Sequence, residues 1–302
     1  MRGTDRVPAN WLRTPDPRPG AGVQLVCFPH AGGNAGAFRQ LAGRLPRWLE
    51  LVAVQYPGRQ DRFLEPPRTD LGTLADEVTA AVAGTLTRPT AFLGHSMGAT
   101  VAFEVARRLR PRFPSPLRWL FVSARKAPAE CRPLALDFQQ DEQVRAFVRG
   151  LGGAGAAALS DEDVWQLTLP ALRTDLLLTA AYRYAPGSPL TCPVTAITGR
   201  DDASLRMDDA MRWADYTVAG FDAQSLPGGH FYLEESPAEL AALLADKLGR
   251  FAAAAADADA AASAAPPAAV PVGRPVGPPA AGPLAPPVGP PAGLPAATGG
   301  AR

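Results

Sequence analysis

The sequence predicts an α/β fold: a mostly parallel sheet wound on both faces by helices and carrying one helical insertion. Three observations predict it. Short apolar runs recur at 23–28, 51–55, 90–93, 119–123 and 194–198. They are continuous rather than alternating, which is the pattern of strands covered on both faces. Helical patterns at 35–45, 71–86, 97–110 and 237–250 separate them, and strands alternating with helices argue for a doubly wound sheet. The third observation is a gap between Ser123 and Val194 with no strand pattern. It holds helical runs at 141–151, 161–169 and 171–184, with Ser160 as the expected N-cap of the second, ahead of acidic residues. In an open α/β sheet such an insertion covers the strand ends where ligands bind. Residues 127–190 are therefore expected to form a lid rather than only to add core.

The limits of the folded part follow from composition. The chain has 302 residues, 47% of them hydrophobic, enough to bury one full core. Residues 1–20 are polar and proline-rich and are expected to form an irregular arm. From 252 to 302 the chain is almost wholly Ala, Pro, Gly and Val, has no aromatic residue and holds 12 of the 33 prolines. Such a segment cannot bury enough apolar area to offset its ordering entropy, so a disordered tail with extended polyproline stretches is expected. A linker is preferred to a partner-binding role for it. That leaves 21–251 as the folded domain.

Thirty basic and 29 acidic residues give a net charge of +1, and no electrostatic argument for nucleic acid or a membrane surface. Cys27, Cys131 and Cys192 are odd in number and widely spaced. They suggest neither a disulfide framework nor a metal site. The N-terminus lacks the apolar core of a signal peptide, and no run approaches the roughly 18 apolar residues of a membrane helix. A soluble, cytoplasmic monomer is expected.

The chemistry-bearing motif is Gly94-His95-Ser96-Met97-Gly98, with the apolar run 90–93 before it and a helical pattern after it. Strand, Gly-x-Ser-x-Gly, helix is the context of a nucleophile elbow, and so of the α/β-hydrolase fold. The serine sits on a sharp, strained turn whose neighbours must be small, at the start of a helix whose free N–H groups favour negative charge. A serine hydroxyl needs a base. In this fold the acid and then the histidine follow the serine along the chain. His30 and His95 precede Ser96, so order selects His230, in the turn Pro227-Gly228-Gly229-His230. The acid belongs to the loop after 194–198, where Gly199-Arg200-Asp201-Asp202 offers two carboxylates. Asp202 fits the Gly-x-x-Asp spacing and is preferred to Asp201, while Asp208 and Asp209 look like helix-start residues.

An oxyanion needs two donors. One is the backbone N–H of Met97. The other is assigned to the N–H of Ala31, in the turn His30-Ala31-Gly32-Gly33 after the first strand. His30 and His95 are expected to orient these loops rather than to move protons.

These residues resemble the stand-alone type II thioesterases of polyketide and non-ribosomal peptide assembly lines. The stretches that carry the resemblance are LVCFPHAGGNAGAF at 25–38, VAVQYPGRQDRF at 52–63, LGHSMGATVAFEVARRL at 93–109, LPALRTDLLLTAAYRY at 169–184 and PGGHFYL at 227–233. They occur in the family's order and span about 15–250. The resemblance implies hydrolysis of acyl groups from the phosphopantetheine thiol of acyl- or peptidyl-carrier domains. It places the triad on Ser96, Asp202 and His230, and the oxyanion hole on Ala31 and Met97. No metal or cofactor is implied, because phosphopantetheine arrives with the substrate. The family feature at 55–62, with Arg59, Asp61 and Arg62, is read as structural ion pairing rather than substrate contact.

Two departures stand out. The acid loop reads GRDDAS, without the proline often found after the acids, and the Ala/Pro tail lies outside the family pattern. Rival readings are an esterase or acyl-CoA thioesterase with the same triad, and a non-catalytic binding protein on the same fold.

Overall fold

The apolar runs become the inner strands of a seven-stranded sheet. A computed structural model of the chain describes residues 11–109, 117–133, 135–153 and 160–264. The strands are β1 (Leu12–Arg13), β2 (Val23–Phe28), β3 (Leu49–Val54), β4 (Thr90–His95), β5 (Leu117–Ser123), β6 (Val194–Gly199) and β7 (Phe221–Leu226). Their order is β1-β3-β2-β4-β5-β6-β7, and only β1 runs antiparallel to its neighbour. Every residue of β2, β3, β4 and β6 is buried, which explains why these strands read as unbroken apolar runs.

Among the described residues eight α-helices accompany the sheet: α1 (Arg39–Ala42), α2 (Leu71–Ala83), α3 (Met97–Arg108), α4 (Asp141–Leu151), α5 (Glu162–Ala181), α6 (Met207–Met211), α7 (Tyr232–Glu235) and α8 (Pro237–Ala264). Alternate residues of β2 feed two different cores. Val26 and Phe28 pack with α2 and α3, while Leu25 and Cys27 pack with α1 and α8. The sheet is thus covered on both sides, as the sequence predicts.

Two strands fall outside the apolar runs, and both are edges. β7 is only partly buried and carries Asp222 and Gln224, with Asp222 bonded to Lys247 at 2.7 Å. β1 corrects the expected irregular arm at 1–20. Trp11 is buried, Leu12 and Arg13 pair with Val54 and Ala53, and the Arg62 guanidinium lies 4.1 Å from the Trp11 ring centre. Residues 1–10 of that arm lie outside the described residues.

The insertion between β5 and β6 has a core of its own, made by Val144, Val148, Trp165, Leu169, Leu172 and Leu176. α4 occupies 141–151 as predicted. The two runs predicted after it form one helix, α5, with Pro170 inside. A proline in a helix interior removes a hydrogen bond. Trp165 and Leu169 before it and Leu172 and Leu176 after it share one core, and that shared burial keeps the helix whole. Its N-cap is Asp161, which accepts from the N–H groups of Asp163 and Val164, and not Ser160.

α8 runs to Ala264, past the expected domain end at 251. The disordered tail expected from 252 is corrected over 252–264. This stretch holds only Ala, Asp and Ser, and alanine is the strongest helix former. The prolines that would stop a helix begin at Pro266, and the tail from 265 to 302 lies outside the described residues.

Trp165→Ala is expected to destabilise the fold by about 3–5 kcal/mol in urea unfolding. Leu167→Gln, on the exposed face of the same helix, is expected to change stability by less than about 0.5 kcal/mol. Similar losses from both would contradict this description of the insertion core.

Candidate active site

The site forms where parallel strands end together. β4 stops at His95 and α3 starts at Met97, leaving Ser96 alone to turn the chain at φ 54°, ψ −118°. A non-glycine residue held there costs about 1–3 kcal/mol. The Ser96 N–H donates to Ser123 O at 2.8 Å, and Ser96 O accepts from the Ala99 N–H at 3.0 Å. The flanking glycines are required by contact. A Cβ on Gly98 would lie 2.0 Å from Phe28 O, and one on Gly94 would lie 2.3 Å from Gly98 O.

The loops after β6 and β7 approach as closely. A Cβ on Gly199 would meet Gly229 O at 2.0 Å, and the Asp201 N–H donates to Gly228 O at 2.9 Å. This contact carries Asp202 to His230, with Asp202 Oδ2 at 2.9 Å from His230 Nδ1. Asp202 Oδ1 accepts from the Ser204 N–H at 2.8 Å and from its hydroxyl at 2.6 Å. Burial pushes the Asp202 carboxyl up, but hydrogen bonds from His230 and Ser204 more than offset this and hold it below its usual range. Asp201 is exposed and serves the loop through its backbone. Asp208 and Asp209 lie in the first turn of α6.

An Asp202-bonded Nδ1–H leaves the lone pair of His230 on Nε2. That atom is buried and has no hydrogen-bond partner among the described residues. His230 and Ser96 line one cavity of about 610 Å³, together with Ala31, Met97, Phe147 and Leu172. Met97 is the first residue of α3, so its N–H is among those with no acceptor inside the helix. One stretch of the cavity wall, 124–133, carries Arg125, Lys126 and Arg132.

A family model described as the thioesterase domain matches residues 23–248. The chain belongs to the thioesterase domain family. It is 41% identical over 231 residues to a probable cadicidin biosynthesis thioesterase of Streptomyces griseus, a match covering 76% of this chain and 64% of that one. Among solved structures it resembles the type II thioesterase BorB from the borrelidin biosynthetic cluster, with TM-score 0.73 and 37% identity over 82% of this chain and 100% of that one. It also resembles YbtT, a type II thioesterase from the yersiniabactin NRPS/PKS pathway, with TM-score 0.70 and 26% identity over 81% and 99% of the two chains.

All three histidines of the thioesterase pack around Phe231, with ring centres 4.9, 5.7 and 5.1 Å from it for His30, His95 and His230. Among the described residues, only His230 bonds a carboxylate. His95 Nδ1 lies 2.7 Å from the Ser123 hydroxyl, itself 2.5 Å from the Tyr232 hydroxyl. Burial, then the neighbouring His230 and His30, push the His95 pKa down. His30 is wedged against Gly33 with Nδ1 enclosed. Burial, then His230 and Arg59, lower its pKa to about 4.

Sequence reasoning missed Ser204 and gave Asp175 no role. Ser204 had a local signal, since a carboxylate commonly bonds the backbone N–H two residues on. Asp175 had none, because its partners are more than a hundred residues away.

The His30 shift sets a pH dependence. Between about pH 4 and 6.5 the unfolded chain binds the proton that folded His30 refuses, so stability falls as pH falls through that window, by at most roughly 3–4 kcal/mol. His95 acts in the same direction. Thermal unfolding of His30→Gln is expected to lose stability less steeply than wild type from pH 6.5 to 4. An unchanged slope would contradict a buried, neutral His30.

Proposed function

We propose that Ser96 is the nucleophile, His230 its general base and Asp202 the acid that orients the imidazole, and that the N–H groups of Ala31 and Met97 form the oxyanion hole. The substrate in this reading is an acyl group on the phosphopantetheine arm of an acyl- or peptidyl-carrier domain. The observation that carries the proposal is the meeting, at one cavity, of a serine strained at a strand end and an imidazole held by a buried carboxylate.

The reaction runs in two steps. His230 Nε2 takes the Ser96 proton as Oγ attacks the thioester carbonyl, and the resulting oxyanion is held by the Ala31 and Met97 N–H groups. The C–S bond breaks and the arm leaves as its thiol, taking the proton from the His230 imidazolium and returning His230 to its neutral form. Water, deprotonated by the same His230, then releases the acyl group from Ser96. Asp202, kept ionised, stabilises the imidazolium formed in each step. These residues suffice for the chemistry, and phosphopantetheine enters only as part of the substrate.

Two features support the carrier-bound substrate. BorB comes from the borrelidin biosynthetic cluster and YbtT from the yersiniabactin NRPS/PKS biosynthetic pathway. In the wall, Lys126 pairs with Asp209 at 3.4 Å and Glu130 adds one acidic group, and Arg125 and Arg132 are the cations that suit a phosphodiester. α4 and α5 act as a lid in this reading, supported by Phe147, Val148, Leu172 and Leu176, which supply apolar lining to the same cavity. No helix among the described residues is long and apolar enough to cross a membrane. A monomer working in the cytoplasm fits this reading.

Ser96→Ala is expected to lower kcat by about 10⁴-fold or more with little change in melting temperature. Wild-type-like turnover by that variant would overturn the nucleophile assignment. With one acyl group presented on carrier, on coenzyme A and as a p-nitrophenyl ester, kcat/KM is expected to be highest on the carrier. A preference for the ester would overturn the carrier-bound substrate.

A further inference from the structure

Far along the chain from the oxyanion loop, α5 supplies a carboxylate that holds it. Asp175 Oδ2 accepts from the Gly32 N–H at 2.8 Å and from Arg59 Nη1 at 2.6 Å, and Oδ1 accepts from Arg59 Nη2 at 3.0 Å. Arg59 Nη1 also donates to Gly33 O at 3.1 Å. The side chains are almost wholly enclosed, at 7% exposure for Arg59 and 3% for Asp175. Gln55 completes the hold, accepting from the Ala35 N–H at 2.9 Å and donating to Arg59 O at 3.1 Å. The loop that follows Ala31 is thus gripped at Gly32, Gly33 and Ala35 by three side chains. α5 also rests on it directly, since a Cβ on Gly32 would lie 3.0 Å from Leu172 Cδ1.

Stability alone gives a weak reason for this arrangement. Desolvating two charges is costly, and apolar residues of similar volume often serve as well or better. What an apolar pair cannot do is hold a backbone N–H and a backbone carbonyl in fixed places. The neighbouring Ala31 N–H needs such precision, because one oxyanion donor is worth about 10²–10³ in kcat and a shift of about 1 Å can cost about 10².

We infer that Asp175 and Arg59 are positioning residues that couple the seating of α5 to the geometry of the oxyanion hole. With α5 seated, Asp175 fixes Gly32 and the Ala31 N–H faces the cavity. When α5 lifts, the Gly32 N–H loses its acceptor and Arg59 its counter-charge, and the loop is released. Acyl transfer is then restricted to the covered cavity. The inference rests on the proposed role of Ala31.

The test compares Asp175→Ala, Asp175→Asn and the double variant Arg59→Met/Asp175→Leu, using a short acyl p-nitrophenyl ester and an acyl-carrier thioester. Asp175→Ala is expected to lower kcat about 10²-fold on both substrates while the ester KM stays within about threefold. Asp175→Asn keeps an oxygen for the Gly32 N–H and is expected to fall between Asp175→Ala and wild type. The double variant is expected to melt within a few degrees of wild type yet keep the low kcat of Asp175→Ala. The pH midpoint of kcat/KM is expected to stay where it is in wild type. A double variant with wild-type kcat, or single variants whose kcat follows melting temperature alone, would overturn the inference. Ser96→Ala run alongside separates the layers. Full turnover there removes both readings, whereas no turnover there with unchanged kcat in Asp175→Ala overturns this inference alone.

Discussion

The active end of the molecule depends on a backbone crossing with no room for a side chain. α3 passes so close to the end of β2 that Gly98 touches the Phe28 carbonyl, and Gly94 at the end of β4 touches Gly98 in turn. The chain leaves β4 and enters α3 within one residue, and that residue takes the positive φ. Its strain cannot relax, because the first ten residues of α3 are buried. Burying that many side chains outweighs a strain of about 1–3 kcal/mol. The outcome is a hydroxyl at the sheet's edge beside a helix start, where negative charge is favoured.

Parallel topology does the rest of the gathering. The loops after β2, β4, β5, β6 and β7 all emerge at the same edge, so Ala31, Ser96, Arg125, Asp202 and His230 come together from across the chain. Three neighbouring histidines sit in different settings. Burial holds His30 and His95 neutral, and no carboxylate among the described residues bonds either of them, while Asp202 bonds His230. His230 is thus the ring that has both a carboxylate partner and a place in the cavity lined by Ser96.

Legibility in the sequence followed distance along the chain. The inner strands and the tight turn at Ser96 could be read because each leaves a local mark, an unbroken apolar run and a Gly-x-Ser-x-Gly, and the histidine proposed from chain order, His230, lies beside Asp202. Asp202 and Asp201 differ by one position, and the backbone contact of Gly199 with Gly229, not spacing, turns the first toward the imidazole. β1 was missed, and β7 was read only as a short run ahead of the His230 loop, because edge strands need no long apolar run. Pro170 misled through a sound local rule that tertiary burial overrides, and the helix beyond 251 was hidden by a composition shared with the tail. Arg59 was legible as an ion-pairing residue, but its partner Asp175 was not, because the contact joins an insertion to a loop more than a hundred residues away.

The account stands on Ser96 carrying the acyl group between the two half-reactions. Rapid acid quench of the protein with an acyl-carrier thioester, followed by peptide mass spectrometry, measures this directly. The predicted result is one acyl mass added to the peptide containing Ser96 and absent in the Ser96→Ala variant. An acyl group found instead on Ser204, Cys131 or another side chain, or turnover with no adduct at any quench time, would contradict it.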